Sequence, residues 1–86
     1  MHLYEIRFSK ESSKTLNSLD AKLAMRIAKA VGKLATESKP PGSRKIVGSE
    51  NDYRIRIRDY RVVYQIRSLV VMIFVIRIGH RKDIYR

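Results

Sequence analysis

From Tyr53 onward the apolar residues fall on every second position. Tyr53, Ile55 and Ile57 share one parity and Arg54, Arg56 and Arg58 the other; after Asp59 the alternation resumes with Tyr60, Val62, Tyr64 and Ile66. Only an extended chain sends successive side chains to opposite faces, so this stretch predicts two antiparallel strands with one buried face. Asp59 suits the tight turn between them. Ser68 marks a second turn, after which Leu69 to Ile78 is almost continuously apolar and β-branched. That pattern predicts a central strand covered on both faces and ended by Gly79.

The first half reads differently. Tyr4, Ile6 and Phe8 alternate with Glu5 and Arg7, predicting a strand that ends near Phe8. Ser9 then offers a capping oxygen to a short helix over Lys10 to Leu19, with Leu16 and Leu19 buried. Asp20 repeats the capping signal, and Leu23, Ile27, Val31 and Leu34 recur at helical spacing, with Lys22, Arg26, Lys29 and Lys33 largely elsewhere on the wheel. The Ser38-Lys39-Pro40-Pro41-Gly42-Ser43 stretch ends this second helix and forms the long loop. The expectation is a small single α+β domain over residues 1–86, ordered β-α-α-β-β-β. Its strands form an antiparallel meander, with a helical hairpin packed on one sheet face.

Eighty-six residues leave no room for a second core. With no cysteine, disulfides, Cys-ligated zinc and a Cys nucleophile are all excluded, and the usage suits a reducing cytoplasm. The longest apolar run, Leu69 to Ile76, is far below the roughly 18 to 20 residues of a membrane span. Met1-His2-Leu3-Tyr4-Glu5 lacks the order of a signal peptide, so a soluble, cytoplasmic protein with no membrane partner is expected. The four glycines are scattered, so there is no phosphate-binding loop. His2 and His80 have no spaced third ligand, and neither a metal nor a cofactor is assigned.

The formal charge is +11, and its type changes along the chain. Residues 1–43 carry six Lys and two Arg, residues 44–86 two Lys and nine Arg, each half with four acids. A planar guanidinium grips phosphate through paired hydrogen bonds, so the arginine half is where a site is expected. Arg54, Arg56 and Arg58 alternate on one strand, and Arg61 can approach them across the hairpin, since cross-strand neighbours lie about 5 Å apart. Such crowding is relieved by an anion or an acidic partner. Beyond the apolar strand, Gly79-His80-Arg81-Lys82-Asp83-Ile84-Tyr85-Arg86 brings an imidazole, a guanidinium and a phenol to one strand end. These are groups that move protons, clamp anions and stack on bases.

Tyr53-Arg54-Ile55-Arg56-Ile57-Arg58-Asp59-Tyr60-Arg61-Val62-Val63-Tyr64, with Gly79-His80-Arg81-Lys82-Asp83-Ile84-Tyr85, resembles the RelE branch of the RelE/ParE toxin superfamily. The opening Tyr4 to Lys10 and the helical hairpin fit the same family. The resemblance implies a type II toxin: a metal-independent, ribosome-dependent endoribonuclease that cuts mRNA in the A site, silenced by a cognate acidic antitoxin. DNA would be met only through the antitoxin complex. The family's basic pair falls on Arg54 and Arg56, its hairpin arginine on Arg61, its terminal arginine on Arg81 and its stacking tyrosine on Tyr85. Arg58, Lys45, Lys82 and Arg86 are assigned to RNA binding. Some members carry lysine at the first two positions, and arginine cannot give up its proton there, so His80 is added as a proton shuttle. Two other readings share these residues: a gyrase-poisoning toxin of the ParE branch, and a basic RNA-binding domain that does not cleave.

Overall fold

The computed structural model describes residues 3–80 and Lys82. Strand β1 (Glu5–Phe8) leads into helices α1 (Lys10–Ser18) and α2 (Ala21–Lys33), followed by β2 (Arg44–Lys45), β3 (Asp52–Ile57), β4 (Tyr60–Arg67) and β5 (Met72–His80). Both expected caps form. Ser9 accepts from the Ser12 amide at 3.0 Å, and Asp20 from the Lys22 and Leu23 amides at 3.0 and 3.2 Å. Each satisfies amides that the first turn of a helix leaves without partners.

The strands make one five-stranded sheet in the order β1-β5-β4-β3-β2. The α+β class and the hairpin of helices are as expected, but the sheet is not a simple meander. Strand β1 lies parallel to β5, with Ile6 opposite Ile73 and Phe8 opposite Val75. Strand β2, whose two residues are too few to show a period, pairs with β3 at the far edge. Joining β1 to β5 is a backbone and serine seam. The Ser9 amide donates to the Val75 carbonyl at 2.8 Å, and the buried Ser12 hydroxyl donates to the same oxygen at 3.0 Å.

One face of the sheet is covered. Ile27, Val31 and Leu34 pack on Ile55, Ile57, Val62, Tyr64, Ile66, Ile73, Val75 and Ile78, while Leu16 and Leu19 are half-buried at the margin. Burial pushes the Tyr64 phenol up to about 12. Its hydroxyl donates to the Ser38 carbonyl at 2.7 Å, tying the proline loop to the core. Among the described residues no helix is long and apolar enough to cross a membrane.

The long apolar run departs from expectation at both ends. Ser68–Val70 form a 3₁₀ turn with Leu69 and Val70 exposed, and Val71 has φ 51°. The strand therefore begins at Met72, and it continues through Gly79 rather than ending there. Its second face is only half covered, with the Arg67 guanidinium 4.6 Å from the Phe74 ring centroid. A register shift adds an unpaired residue: Tyr64 faces Val75 and Val63 faces Arg77, leaving Ile76 as a bulge. The buried positions accordingly change parity, from Ile73 and Val75 to Ile78.

Candidate active site

The face of the sheet away from the helices carries the arginines. Arg54 and Arg56 alternate with the core-facing Tyr53, Ile55 and Ile57, and residues that pair directly across strands share a face. The register sets Arg56 opposite Arg61 and Arg54 opposite Val63, with Arg44 of β2 opposite Arg54. Next to Arg61 on β5 is Gly79, which presents no side chain. Arg44, Arg54, Arg56 and Arg61 surround a depression of about 140 Å³ with Gly42 and Ile55, room enough for a phosphate group. Arg54 and Arg61 are half-buried, Arg44 and Arg56 exposed.

Local bonds orient this set. The Arg56 Nε–H donates to the Arg58 carbonyl at 3.0 Å, holding its guanidinium toward the hairpin. Asp52, at the other end of β3, has its carboxylate bound by the Gln65 amide at 3.1 Å. Among the described residues no three His, Asp or Glu side chains gather to hold a metal ion. The arrangement suits a polyanion with charge concentrated on one group, because half-buried guanidiniums lose less of their field to water.

His80 is not among the arginines. It pairs with Tyr60 on the helix side, its ring edge-on to the Tyr60 ring with centroids 5.5 Å apart at 81°. Its Nδ1 accepts from the Lys82 amide at 3.2 Å, so in the neutral imidazole the proton sits on Nε2. With Glu11, Thr15, Tyr60 and Arg77 it lines a separate cavity of about 400 Å³ between α1 and the sheet.

A family model described as the ParE toxin of the type II toxin–antitoxin system parDE matches residues 6–85. The chain belongs to this toxin family. Within the RelE/ParE superfamily its likenesses are to RelE. A RelE-like toxin protein of Escherichia coli is 29% identical over 95% of this chain and 90% of its own length. The archaeal RelE in its complex with RelB from Pyrococcus horikoshii superposes with TM-score 0.82 at 26% identity, covering 94% of this chain and 98% of that one. The isolated E. coli RelE toxin gives TM-score 0.81 at 26% identity, over 95% and 90%. The protein is a RelE-branch toxin.

Of the residues singled out in the sequence, the RelE fold brings Arg54, Arg56 and Arg61 together. Arg58 leaves the strand face: with Asp59 it forms the two-residue loop between Ile57 and Tyr60, at φ 56°, and it borders α2 instead. Lys45 pairs with Tyr53, on the helix side of β2. Lys82 is exposed beside His80. Arg81, Tyr85 and Arg86 lie outside the described residues. Sequence reading missed Arg44, because a two-residue strand is too short to show a period, and Arg77, whose guanidinium lies 3.7 Å from the Glu11 carboxylate. A lone charge inside the apolar run was the available signal for the second.

Proposed function

We propose that this toxin is a ribosome-dependent endoribonuclease that cuts A-site mRNA by attack of a 2′-hydroxyl on the adjacent phosphate. The observation that carries the reading is the guanidinium row across β2, β3 and β4, around a depression of phosphate size. In the reaction the 2′ oxygen bonds to phosphorus and gives its proton to water. The bond to the 5′ oxygen breaks, and that oxygen takes a proton from water. The products end in a 2′,3′-cyclic phosphate and a 5′-hydroxyl. Negative charge grows on the non-bridging oxygens on the way, and Arg54, Arg56 and Arg61 are set to stabilise it. Permanently charged guanidiniums act as a clamp rather than as a base. Arg81 and Tyr85 keep the parts the family resemblance gives them, beside the departing oxygen and stacked on a base. The step so written uses no metal or cofactor.

The proposed partners are the ribosome with its mRNA, in the cytoplasm, and a cognate acidic antitoxin. The E. coli RelE relative, 25% identical to this chain, is known in an intact RelBE toxin–antitoxin complex. A chain of net charge +11 has the complementary surface for an acidic segment that orders on binding.

The test is single-turnover cleavage of a defined mRNA on programmed ribosomes, with mapping of fragment ends. Cyclic phosphate ends are expected, at EDTA levels that spare the ribosome. The ParE name of the matching family model keeps a second reading in play. Intact mRNA together with loss of gyrase supercoiling would replace the nuclease with that reading.

A further inference from the structure

We propose that the outer face of α2 is a second nucleic-acid surface, which grips the phosphate backbone of base-paired RNA apart from the arginine site. Helix α2 carries four cations and no acid. Lys22, Arg26, Lys29 and Lys33 follow one another at steps of four, three and four, which puts them in one stripe with neighbours about 5 to 6 Å apart. The stripe runs about 16 Å along the helix. All four are exposed, and none makes an ion pair among the described residues. Like charges at these spacings destabilise a helix unless an anion is bound between them.

The hairpin tip extends the stripe. Arg58, held at φ 56°, borders a depression with Asp20, Lys22, Leu23 and Arg26. Arg58 and Arg56 border a second, of about 440 Å³, with Lys29, Lys33 and Glu37. The Asp20 carboxylate accepts from two helix amides as the cap, so it is already engaged. Glu37 is the one further carboxylate lining either hollow.

The apolar pattern favours RNA over an acidic peptide. A disordered segment that folds on binding needs apolar contacts to offset the entropy it loses. On α2, Ile27 and Val31 are buried under the helix, and Met25 is the one large apolar side chain turned outward, at 72% exposure. The larger hollow has Ala30, Pro40, Pro41, Ile55 and Ile57 in its lining, but the stripe itself stands on the exposed side of the helix with Met25 as its one large apolar neighbour there. A row of separated, flexible cations fits phosphates, which need charge and no pocket.

The probe is a fluorescein-labelled RNA hairpin with a long base-paired stem, titrated with the full chain by anisotropy over a salt series. No ribosome is present and nothing is cut, so the result stands apart from the cleavage reading. Combined Lys22→Gln, Arg26→Gln and Lys29→Gln should weaken binding at low salt by tenfold or more. It should also lower the slope of log K against log salt by about 2 to 3, close to one for each phosphate no longer neutralised. Lys22→Arg, Arg26→Lys and Lys29→Arg together should leave both at wild-type values. Thermal melting by circular dichroism checks that the variants fold. Wild-type affinity and slope in the charge-removing triple variant would overturn the proposal. So would RNA binding that survives while affinity for a glutamate-rich peptide is abolished, which would give this face to a protein.

Discussion

Two surfaces carry the excess positive charge of this toxin, and they hold it in opposite ways. On α2 the cations are mostly lysines, exposed and strung along a helix that contains no acid. On the sheet they are arginines, fixed by strand register around one depression, with Arg54 and Arg61 half-buried. A mobile, hydrated ammonium attracts a polyanion wherever the charges pass. A guanidinium held in register and partly removed from water acts at one place, where a transition state needs it. Charge count alone would make the two surfaces equivalent; their backbone support makes them different tools.

Breaking the sheet side should give the largest effect. Arg61→Ala is expected to slow single-turnover cleavage on programmed ribosomes by about 10²- to 10³-fold, the size of losing one oriented donor, with little change in ribosome binding. Arg61→Lys should retain only part of the rate. Cleavage at the wild-type rate by bound Arg61→Ala would remove the clamp from the comparison.

Next is the link between the surfaces. Tyr64 ties the loop that joins α2 to β2 through its bond to the Ser38 carbonyl. Its folded value of about 12 lies above the ordinary 10.0 because burial disfavours the phenolate. The raised value stabilises the fold fully below about pH 10, and that stability is lost as pH climbs through about 12. Two pH units correspond to about 2 to 3 kcal/mol. Urea unfolding between pH 9 and pH 12 should follow this decline. Tyr64→Phe should flatten it, at a cost of about 1 kcal/mol near neutrality from the missing hydrogen bond. An unchanged alkaline slope in Tyr64→Phe would count against this assignment.

A smaller effect tests the hairpin tip. Arg58 holds a positive φ of 56° in a loop position where glycine is usual. Arg58→Gly is expected to raise stability by about 0.5 to 1 kcal/mol in denaturant titrations, while removing one cation from the α2 side. Destabilisation would mean that the side chain, rather than the backbone, sets the tip.

His80→Gln should do least. Its ring rests against Tyr60 on the other side of the sheet from the arginines, so cleavage is expected within about threefold of wild type, with the pH profile unchanged. A loss near 10²-fold would return the imidazole to the reaction as a proton shuttle.

Much of the frame was legible because it depends on local chemistry. Ser9 and Asp20 cap because short oxygen side chains reach free amides within their own turn. The alternation of Tyr53 to Ile57 and of Tyr60 to Ile66 fixes which residues face the core wherever those strands pair, and so it placed Arg54, Arg56 and Arg61 on one side. The long-range choices left no such mark. That β1 enters beside β5 in parallel, and that Arg44 joins the site from a two-residue strand, are matters of which segments meet. The fate of His80 turned on a single residue. Unbroken alternation from Ile73 and Val75 would have sent position 80 to the arginine face, but the bulge at Ile76 adds one step and turns it to Tyr60. A sequence records how residues alternate along one strand. The face on which a distant residue emerges depends also on where the neighbouring strand skips a pair, and only the assembled sheet decides that.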